Sequence, residues 1–411
     1  MVIGIDASRA FLRNRTGIEE YSYQTIAHLR VPLKEERVIL YVQDGQIPDF
    51  ELPRSWKVRS LRAPRFWTHV RLSLEMLLHL PDVLFVPAHT IPFIHPARNV
   101  TPLCRLSFVI VQKFIHPFTG CKEKHSVAGG PARSVVTVHG LEYEFSKESY
   151  SRWERFYMRA VIRFSCKAAE TIIAVSENTK RDLIRLYGTP KEKIRVVYEG
   201  RPKLRPHADG AISNFEFRIS KRERGVDSSA ESEIEKPHLL FVGRIEERKN
   251  VRRIVEAYGL LKKRHGIPHR LVLAGKPGYG YADVKRAIGA SEYRSDIVET
   301  GYVDESKKSE LLAGADVFVF PSLYEGFGLP VVEAQTVGVP VVTSEISSLP
   351  DIAGDGALFA DPLSAESIAD RIWELLSDPV LRGGIIGKGR QNAKRFDWGR
   401  CAEEIAELLR K

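Results

Sequence analysis

The sequence has 411 residues, of which 43% are hydrophobic and 28% charged, with 23 prolines and 30 glycines. This composition excludes collagen, low-complexity disorder and a multispanning membrane protein, and the length suits two or three globular domains. The net charge of +10 lies wholly in residues 1–200, which carry 30 basic and 20 acidic residues, whereas residues 201–411 carry 32 of each. Either an anionic partner of the first half or a well-solvated surface would account for this excess.

The four cysteines, Cys104, Cys121, Cys166 and Cys401, follow no metal-ligand spacing and favour a reducing, cytoplasmic environment. The N-terminal residues reach an acidic side chain at Asp6, too early for the apolar core of a signal peptide. No apolar run approaches the roughly 20 residues that a membrane-spanning helix needs. We therefore expect a cytoplasmic protein, and any membrane contact would be peripheral, at the inner face of the cytoplasmic membrane.

Short β-branched runs alternate with stretches of helical period along the first half of the chain. The predicted strands are residues 2–6, 38–42, 57–61, 83–86, 135–138, 171–175 and 194–197. Helices are predicted over 18–29 and 148–167. This alternation is typical of parallel strands covered by helices on both faces, so residues 1–200 are predicted to form a doubly wound, Rossmann-like domain.

The same alternation restarts after a polar gap. Strands are predicted at residues 239–243, 271–275, 297–301, 317–320 and 339–343, and Asn250 is the predicted N-cap of the helix after the first of them. Residues 237–395 therefore form a second Rossmann-like domain, and 396–411 a C-terminal amphipathic helix that packs on a domain surface. Ligands of such sheets bind at the carboxyl ends of the strands, so two α/β domains facing across a cleft suit a two-substrate enzyme.

Two segments interrupt the pattern. Residues 201–236 are rich in Lys, Arg, Glu, Ser and Gly without apolar periodicity, which predicts a linker with a disordered excursion. Residues 99–132 look inserted, because Pro96-Ala97-Arg98 recurs as Pro131-Ala132-Arg133. A duplication, a mistranslated stretch and a lid would each explain this insertion, to which we assign no function.

The most informative stretch joins a predicted strand to a predicted helix. The strand ends at Phe320, a glycine-bearing loop follows, and Pro330 stands where the first turn of a helix should begin. Glu325 lies in the loop and Glu333 eight residues further on, inside the helix. Carboxylates accept hydrogen bonds from the hydroxyls of a sugar or ribose, and helix-start amides attract phosphate. This pattern indicates a site for a sugar nucleotide, whereas the alternative is a surface loop with two solvated glutamates.

The segment Ser322–Pro330, followed by Glu333, resembles the donor-site motif of the retaining, nucleotide-sugar-dependent glycosyltransferases of family four (glycosyl transferases group 1), which have the GT-B fold. The resemblance implies that Glu325 contacts the transferred sugar and that Glu333 holds the ribose hydroxyls. It further implies that the sugar and phosphate are bound by the backbone of Gly326, Phe327, Gly328 and Leu329.

A second resemblance to that family lies in Val242-Gly243-Arg244 and the following Lys249. The resemblance implies that Gly243, Arg244 and Lys249 bind the donor diphosphate. Two cations at the carboxyl end of a strand can also neutralise a diphosphate leaving group on physical grounds. The alternative role for either cation is a surface ion pair with Glu246 or Glu247.

Two segments in the first half of the chain resemble motifs of the same family less closely. Val138-His139-Gly140 resembles the strand-end histidine of the family, which implies that His139 lies near the reacting sugar, although Gly140 stands where Asp is usual. Gly17 resembles the glycine of a loop that faces the diphosphate. Glu19 and Glu20 replace the usual Gly and Arg there, which leaves the backbone of Gly17 as the only candidate for phosphate contact.

Taken together, the resemblance implies transfer of a hexose, with mannose the first candidate, from a nucleoside diphosphate sugar to a glycan or lipid-linked acceptor. Retention of the anomeric configuration and a place in polysaccharide biosynthesis belong to the same expectation. The chain has no D-x-D sequence and no His/Cys cluster, so no metal and no cofactor are expected. The alternatives are a GT-B-type epimerase or phosphorylase, and a non-catalytic scaffold that binds sugar nucleotides.

Two clusters in the basic half mix cations with aromatic residues. The first contains Arg54, Trp56, Lys57, Arg59, Arg62, Arg65, Phe66, Trp67 and Arg71, and the second contains Arg152, Trp153, Arg155, Phe156, Tyr157, Arg159 and Arg163. This combination suits an anionic membrane surface or single-stranded nucleic acid, and equally a solvated helix whose aromatics enter the core. Because the family often uses lipid-linked acceptors and no nucleic-acid motif is present, peripheral membrane contact is the favoured partner and nucleic acid is not expected.

Overall fold

The computed structural model describes residues 1–12, 15, 17–62, 67–93, 133–201 and 237–411. The chain divides into two compact units, of which the first comprises residues 1–141, 152–200 and 397–411 and the second comprises 142–151 and 201–396. The predicted insertion at 99–132 and the predicted linker beyond Arg201 lie outside the described residues. Within the described ranges, no helix is both long and apolar enough to cross a bilayer.

The first unit is built on a sheet of seven parallel strands. In chain order these are β1 (Val2–Asp6), β2 (Arg37–Gln43), β3 (Trp56–Leu61), β4 (Val83–Val86), β5 (Arg133–Val138), β6 (Thr171–Ala174) and β7 (Ile194–Val196). The strands lie side by side in the order β3-β2-β1-β4-β5-β6-β7. Central strands such as β4 are buried along their whole length, as expected when helices cover both faces.

The described residues of the first half of the chain form five helices. They are α1 (Ile18–Leu29), α2 (Ser73–Leu78), α3 (Glu142–Phe145), α4 (Arg152–Ala168) and α5 (Glu177–Tyr187). A π-helical segment, Trp67–Leu72, leads directly into α2. The helix predicted over 148–167 begins later, at Arg152, because a 3-10 turn and the extended residue Tyr150 precede it.

The second unit contains six parallel strands. They are β8 (His238–Val242), β9 (Arg270–Ala274), β10 (Ile297–Gly301), β11 (Val317–Phe320), β12 (Val341–Ser344) and β13 (Leu358–Ala360), in the spatial order β10-β9-β8-β11-β12-β13. The two predicted doubly wound α/β units are therefore confirmed. Strand β13 was missed by the sequence pattern, because three residues are too few to display a period.

Eight further helices complete the described chain. They are α6 (Val251–His265), α7 (Tyr281–Ala290), α8 (Glu305–Gly314), α9 (Leu329–Val337), α10 (Leu349–Ala353), α11 (Ala365–Ser377), α12 (Pro379–Ala393) and α13 (Trp398–Arg410). Asn250 is the N-cap residue of α6, as predicted, but its side chain does not cap the helix. The residue is left-handed, with φ 62°, and its amide donates to the carbonyls of Pro321 at 3.0 Å and Pro362 at 2.6 Å.

In each sheet the chain first adds strands on one side of the unit's first strand and then adds the later strands on its other side. In the second unit β8 pairs with β9 on one side and with β11 on the other. The loops that follow β8 and β11 therefore leave the sheet in opposite directions and flank a crevice at its carboxyl edge. The first unit has the corresponding position between β1 and β4.

The C-terminal helix α13 belongs to the first unit rather than to the second, which it follows in sequence. It buries Trp398, Ile405 and Leu409. The Trp398 ring meets that of Tyr21 edge-on, with ring centroids 5.9 Å apart. The Arg133 guanidinium donates to the carbonyl of Leu409. The final residues thus complete the hydrophobic core of the first unit.

Candidate functional site

The carboxyl edge of the second sheet brings the predicted donor residues together. Gly243 and Arg244 directly follow β8, and the loop with Glu325 follows the neighbouring strand β11. The turns after β8 and β9 touch so closely that a Cβ at Gly275 would lie 1.8 Å from the carbonyl oxygen of Gly243. Only glycine fits there, and this contact fixes the backbone that presents Arg244.

Serine hydroxyls hold the loop between β11 and α9. Ser348 donates to the carbonyl of Glu325 at 3.0 Å and to that of Phe327 at 2.5 Å. The hydroxyl of Ser347 accepts from the Glu325 amide at 2.9 Å. The loop conformation is therefore set by hydrogen bonds from the segment after β12, which the motif alone did not indicate.

Helix α9 begins as the sequence predicts. Gly328 precedes it with φ 120°, a conformation that favours glycine, and Pro330 lies in its first turn. Within the described part of the chain, the amides of Gly328 and Leu329 have no hydrogen-bond acceptor. These groups carry the partial positive charge of a helix start, which suits an anionic ligand.

Glu325 is buried between two cations. Its Oε1 lies 2.5 Å from Lys249 Nζ, and its Oε2 lies 3.3 Å from Arg248 Nη1. Burial alone would raise the pKa of this carboxyl, but Lys249 and then Arg248 outweigh it and hold the pKa below its usual value. Glu325 is therefore an ionised group at neutral pH, and it neutralises part of the charge of Lys249.

Arg248, which the sequence pattern did not single out, forms the ion pair that was the alternative considered for Arg244 and Lys249. Its Nη2 lies 2.7 Å from Glu246 Oε1, so the expected alternative ion pair forms with Arg248 and not with Arg244 or Lys249. The sequence carries no signal for this role, because Glu325, the second carboxylate that Arg248 contacts, lies far away in the chain.

Arg244 is an exposed cation at this edge of the sheet. Its side chain packs over Gly278, where a Cβ would lie 2.7 Å from the Arg244 Cδ. Within the described ranges its guanidinium forms no hydrogen bond and no ion pair. Five N–H donors of a planar fork therefore remain available for an anionic group.

Glu333 lies further along α9 and is also buried. Its Oε1 accepts from Lys308 Nζ of α8 at 2.7 Å. Burial opposes the charge on Lys308, but the nearby carboxylates of Glu333 and Glu305 outweigh it and raise the pKa of this lysine. Lys308 could not be predicted, because no local pattern connects it with a residue in the next helix.

His139 follows β5 in the first unit and is nearly buried. Its Nε2 lies 2.8 Å from the carbonyl oxygen of Pro87, to which it donates, and its Nδ1 lies 3.4 Å from Glu199 Oε1. The Tyr21 ring meets the imidazole edge-on, with ring centroids 4.4 Å apart. Both ring nitrogens face protein acceptors, so contact of His139 with a reacting sugar stays a prediction.

Gly17 lies at the start of α1, with φ 42°. The two glutamates that follow it are each paired with an arginine: Glu19 with Arg9 and Glu20 with Arg15, both at 3.0 Å. These ion pairs offset the negative charge that the sequence places beside Gly17. The backbone of Gly17 thus remains a candidate for contact with an anionic group.

His89 gives the first unit a defined acid sensitivity. Burial, with a further contribution from His139 and Arg9, lowers the pKa of His89 to about 3, against about 6.5 in an unfolded chain. Between these values the unfolded chain binds a proton that the folded protein does not, so the free energy of unfolding should fall as the pH drops. In urea titrations, this decline should be smaller for a His89→Asn variant, and parallel pH profiles would contradict the assignment.

The two basic and aromatic clusters differ in the structure. In the first, Trp56 and Trp67 are buried, and Arg59, Arg62 and Arg71 pair with acidic side chains, as Arg59 does with Glu75 at 2.8 Å. Arg65 and Phe66 of that cluster lie outside the described residues. In the second, on the N-terminal half of α4, Trp153 is 80% and Phe156 66% exposed. The described aromatic residues of the first cluster are thus buried, whereas the second cluster presents aromatic rings to solvent.

Comparison with known proteins gives two family matches. A family model described as glycosyl transferases group 1 matches residues 227–392, and one described as glycosyltransferase family 4 matches residues 17–202. The chain is also 29% identical over 392 residues to the O-antigen chain mannosyltransferase B of Escherichia coli, covering 95% of this chain and 94% of the relative.

Solved structures show the same architecture at low sequence identity. A sucrose-phosphate synthase from Thermosynechococcus elongatus superposes with a TM-score of 0.68 at 19% identity, over 100% of this chain and 98% of that one. Anabaena HepE in complex with UDP-glucose superposes with a TM-score of 0.66 at 16% identity, over 100% and 99%. The fold predicted from the sequence, GT-B, is therefore confirmed.

Proposed function

The chain belongs to the glycosyltransferases described by the group 1 and family 4 models, and from this membership we propose that it transfers a hexosyl group from a nucleoside diphosphate sugar to an acceptor hydroxyl. The acceptor is a sugar or a lipid-linked glycan, and mannose is the first candidate for the transferred sugar. The mannose assignment is supported by the similarity over nearly the whole chain to a mannosyltransferase that builds an O-antigen chain.

The observation that carries this proposal is the arrangement at the carboxyl edge of the second sheet. Arg244 offers an exposed guanidinium that forms no ion pair or hydrogen bond in the described chain, and the same loop after β8 carries Lys249, which is paired with buried Glu325. The start of α9 adds the amides of Gly328 and Leu329. An anionic diphosphate is attracted by the arginine and by the helix start, while carboxylates suit the hydroxyls of a sugar and a ribose.

The chemical step breaks the bond between the anomeric carbon and the diphosphate oxygen and forms a bond from that carbon to the acceptor oxygen. The acceptor hydroxyl gives its proton to an oxygen of the departing nucleoside diphosphate, which leaves with the bonding electron pair. Arg244, Lys249 and the helix-start amides stabilise the charge that develops on the departing diphosphate. We propose retention of configuration, and the anomeric coupling constant of the product in NMR spectra tests it against that of the donor.

The decisive experiment incubates the purified protein with a panel of nucleotide sugars, GDP-mannose and UDP-glucose among them, and an acceptor panel. Release of nucleoside diphosphate together with a glycosylated product is expected for one donor. A folded protein that releases none from any donor contradicts the proposal and favours a binding scaffold. A visible absorbance band from a pyridoxal phosphate Schiff base would instead indicate a phosphorylase.

We further propose that the reaction needs no metal ion. The negative charge of the leaving group is stabilised by Arg244, Lys249 and the helix-start amides. These groups take the role that a divalent cation has in other enzymes. Activity should therefore be unchanged after dialysis against EDTA and should not rise on addition of Mg²⁺ or Mn²⁺. A loss of activity that Mg²⁺ or Mn²⁺ reverses would contradict this part of the proposal.

A peripheral contact with an anionic membrane is the partner that we propose for the first unit. Helix α4 combines exposed Trp153 and Phe156 with exposed Arg152 at its start and exposed Arg163 further along. Aromatic rings favour the interfacial region of a bilayer and arginines favour anionic headgroups. The excess of basic residues in the first half of the chain agrees with this partner.

The membrane proposal predicts that a Trp153→Ser/Phe156→Ser variant binds phosphatidylglycerol vesicles at least about tenfold more weakly than the wild type, because burial of each ring contributes more than about 1 kcal/mol. Wild-type binding should weaken with added salt and be weaker still on phosphatidylcholine vesicles. Leu363→Ser, at an exposed position of the second unit, is the matched control. Equal binding of variant and wild type in a vesicle sedimentation assay would refute the assignment.

A further inference from the structure

Arg248 is placed to hold the loop that carries Glu325. The residue lies in the 3-10 turn Glu247–Lys249 that follows β8, and only 16% of its side chain is exposed. Its Nη1 donates to the carbonyl oxygen of Tyr324 at 2.7 Å and lies 3.3 Å from Glu325 Oε2. One nitrogen thus contacts the backbone of one loop residue and the side chain of the next.

The backbone of Arg248 adds a third connection. Its carbonyl accepts from the Leu323 amide at 2.8 Å. Its Nη2 is meanwhile held by Glu246 Oε1 at 2.7 Å, which fixes the plane of the guanidinium. The planar fork of arginine can make these side-chain contacts at once, whereas the single ammonium of a lysine cannot reproduce their directions.

The two oxygens of Glu325 are divided between two cations. Lys249 takes Oε1 and Arg248 takes Oε2, so rotation of the carboxylate would break one of the two contacts. Burying such charges contributes little to stability compared with an apolar core. A fixed carboxylate orientation is, by contrast, what recognition of a sugar hydroxyl needs, because misplacement by about 1 Å can cost 100-fold in rate.

Further groups of the second unit act on Arg248 electrostatically. Glu142 and, less strongly, Tyr150, from the segment 142–151, add to the effects of Glu325 and Glu246. Burial opposes the charge of Arg248, but these groups outweigh it and raise its pKa further. Arg248 is therefore a permanent cation whose partners are protein groups.

We propose that Arg248 is a positioning residue for glycosyl transfer, which orients the Glu325 carboxylate and fixes the loop from Leu323 to Glu325 without itself binding the donor. This inference rests on the proposed function. It assigns different roles to three neighbouring cations. Arg244 binds the diphosphate, and Lys249 neutralises Glu325 and helps to stabilise the negative charge on the leaving group. Arg248 acts through Glu325.

The experiment compares Arg248→Gln with the wild type in the full-length protein, using the nucleotide sugar that the wild type turns over. We expect kcat to fall about 10- to 100-fold, because the carboxylate is no longer held in one orientation. The KM for the donor and the Kd for the free nucleoside diphosphate should change less than about twofold, because Arg244 is intact. Arg252→Gln, which removes an exposed arginine of α6, is the matched control and should keep wild-type kinetics.

A double-mutant cycle separates positioning from a general structural effect. In a Glu325→Gln background, Arg248→Gln should lower kcat less than about twofold further, because the group through which it acts is already gone. Equal losses in both backgrounds would overturn the inference. An unchanged kcat with a raised Kd for nucleoside diphosphate would overturn it as well, since Arg248 would then be a diphosphate ligand.

Arg248→Lys keeps the experiment decisive if the glutamine variant does not fold. It retains the buried charge but cannot contact Tyr324, Glu246 and Glu325 together, so an intermediate kcat with an unchanged KM is expected. A lysine variant with wild-type kcat overturns the inference while the proposed function stands. A folded wild type that turns over no nucleotide sugar overturns the proposed function, and the inference with it.

Discussion

Replacing Arg244 by glutamine should lower kcat/KM for the nucleotide sugar by about 100- to 1,000-fold, the usual cost of removing one group that stabilises charge in a transition state. The fold should be unaffected. Arg244 is exposed and has no ion pair or hydrogen bond in the described chain, so its removal strands no buried partner. Surface changes of this kind alter the free energy of unfolding by less than about 0.5 kcal/mol.

The measurement combines steady-state kinetics with urea unfolding. A larger loss in kcat than in donor affinity would mean that Arg244 acts mainly on the departing diphosphate, and weaker binding of the free nucleoside diphosphate by the variant than by the wild type would support this. Arg252→Gln is again the control for loss of an arginine near β8. An Arg244→Gln variant with wild-type kcat/KM would show that the diphosphate is bound elsewhere.

A second large effect is expected for Glu325→Gln, and here stability and activity should both fall. Lys249 and Arg248 are left buried without their shared carboxylate, and breaking a buried ion pair from one side costs about 3–5 kcal/mol. Activity should fall by at least about 100-fold, because the carboxylate that contacts the transferred sugar is gone. Glu256→Gln, which removes a glutamate from an exposed ion pair with Arg252, is the control for loss of a surface carboxylate.

Two further measurements separate the causes. Adding Lys249→Met to Glu325→Gln should restore part of the stability, since one stranded charge is removed, but no activity. The pH dependence has a defined sign: Lys249 and Arg248 lower the pKa of Glu325 despite its burial, so its stabilising effect is full above about pH 4.5 and is lost as the pH falls through the lower folded pKa. The stability difference between variant and wild type should therefore shrink in acid, and a constant difference would contradict the ion-pair explanation.

The strands of both units were largely predictable, because buried parallel strands are continuous β-branched runs bounded by polar residues. Val2–Asp6, Ile297–Gly301 and Val317–Phe320 begin and end where the sequence places them. Strand β13, at Leu358–Ala360, was not predictable, because its identity comes from pairing with β12 and not from its own pattern. The two-unit architecture follows from the local signals, whereas its last strand depends on tertiary contact.

The candidate site was predictable where its residues are close in sequence. Gly328 and Pro330 lie at the start of α9 as the strand-loop-helix pattern requires. The pairing of Lys249 with Glu325 joins residues 76 positions apart and is therefore not available from spacing. Lys308 and Arg248 were missed for the same reason, since each is defined by a carboxylate that the fold brings to it. Local sequence thus identified the backbone of the site, and the charge pairing came from the sheet topology.

The position of α13 has a consequence for biosynthesis. The unit formed by the first 200 residues also needs Trp398, Ile405 and Leu409, which are translated only after the whole second unit. The polypeptide between them can acquire its own core while synthesis continues, because domains generally fold as units as they emerge. We therefore expect the unit that is begun first to be completed second, with the apolar surface that α13 covers exposed until that helix is made.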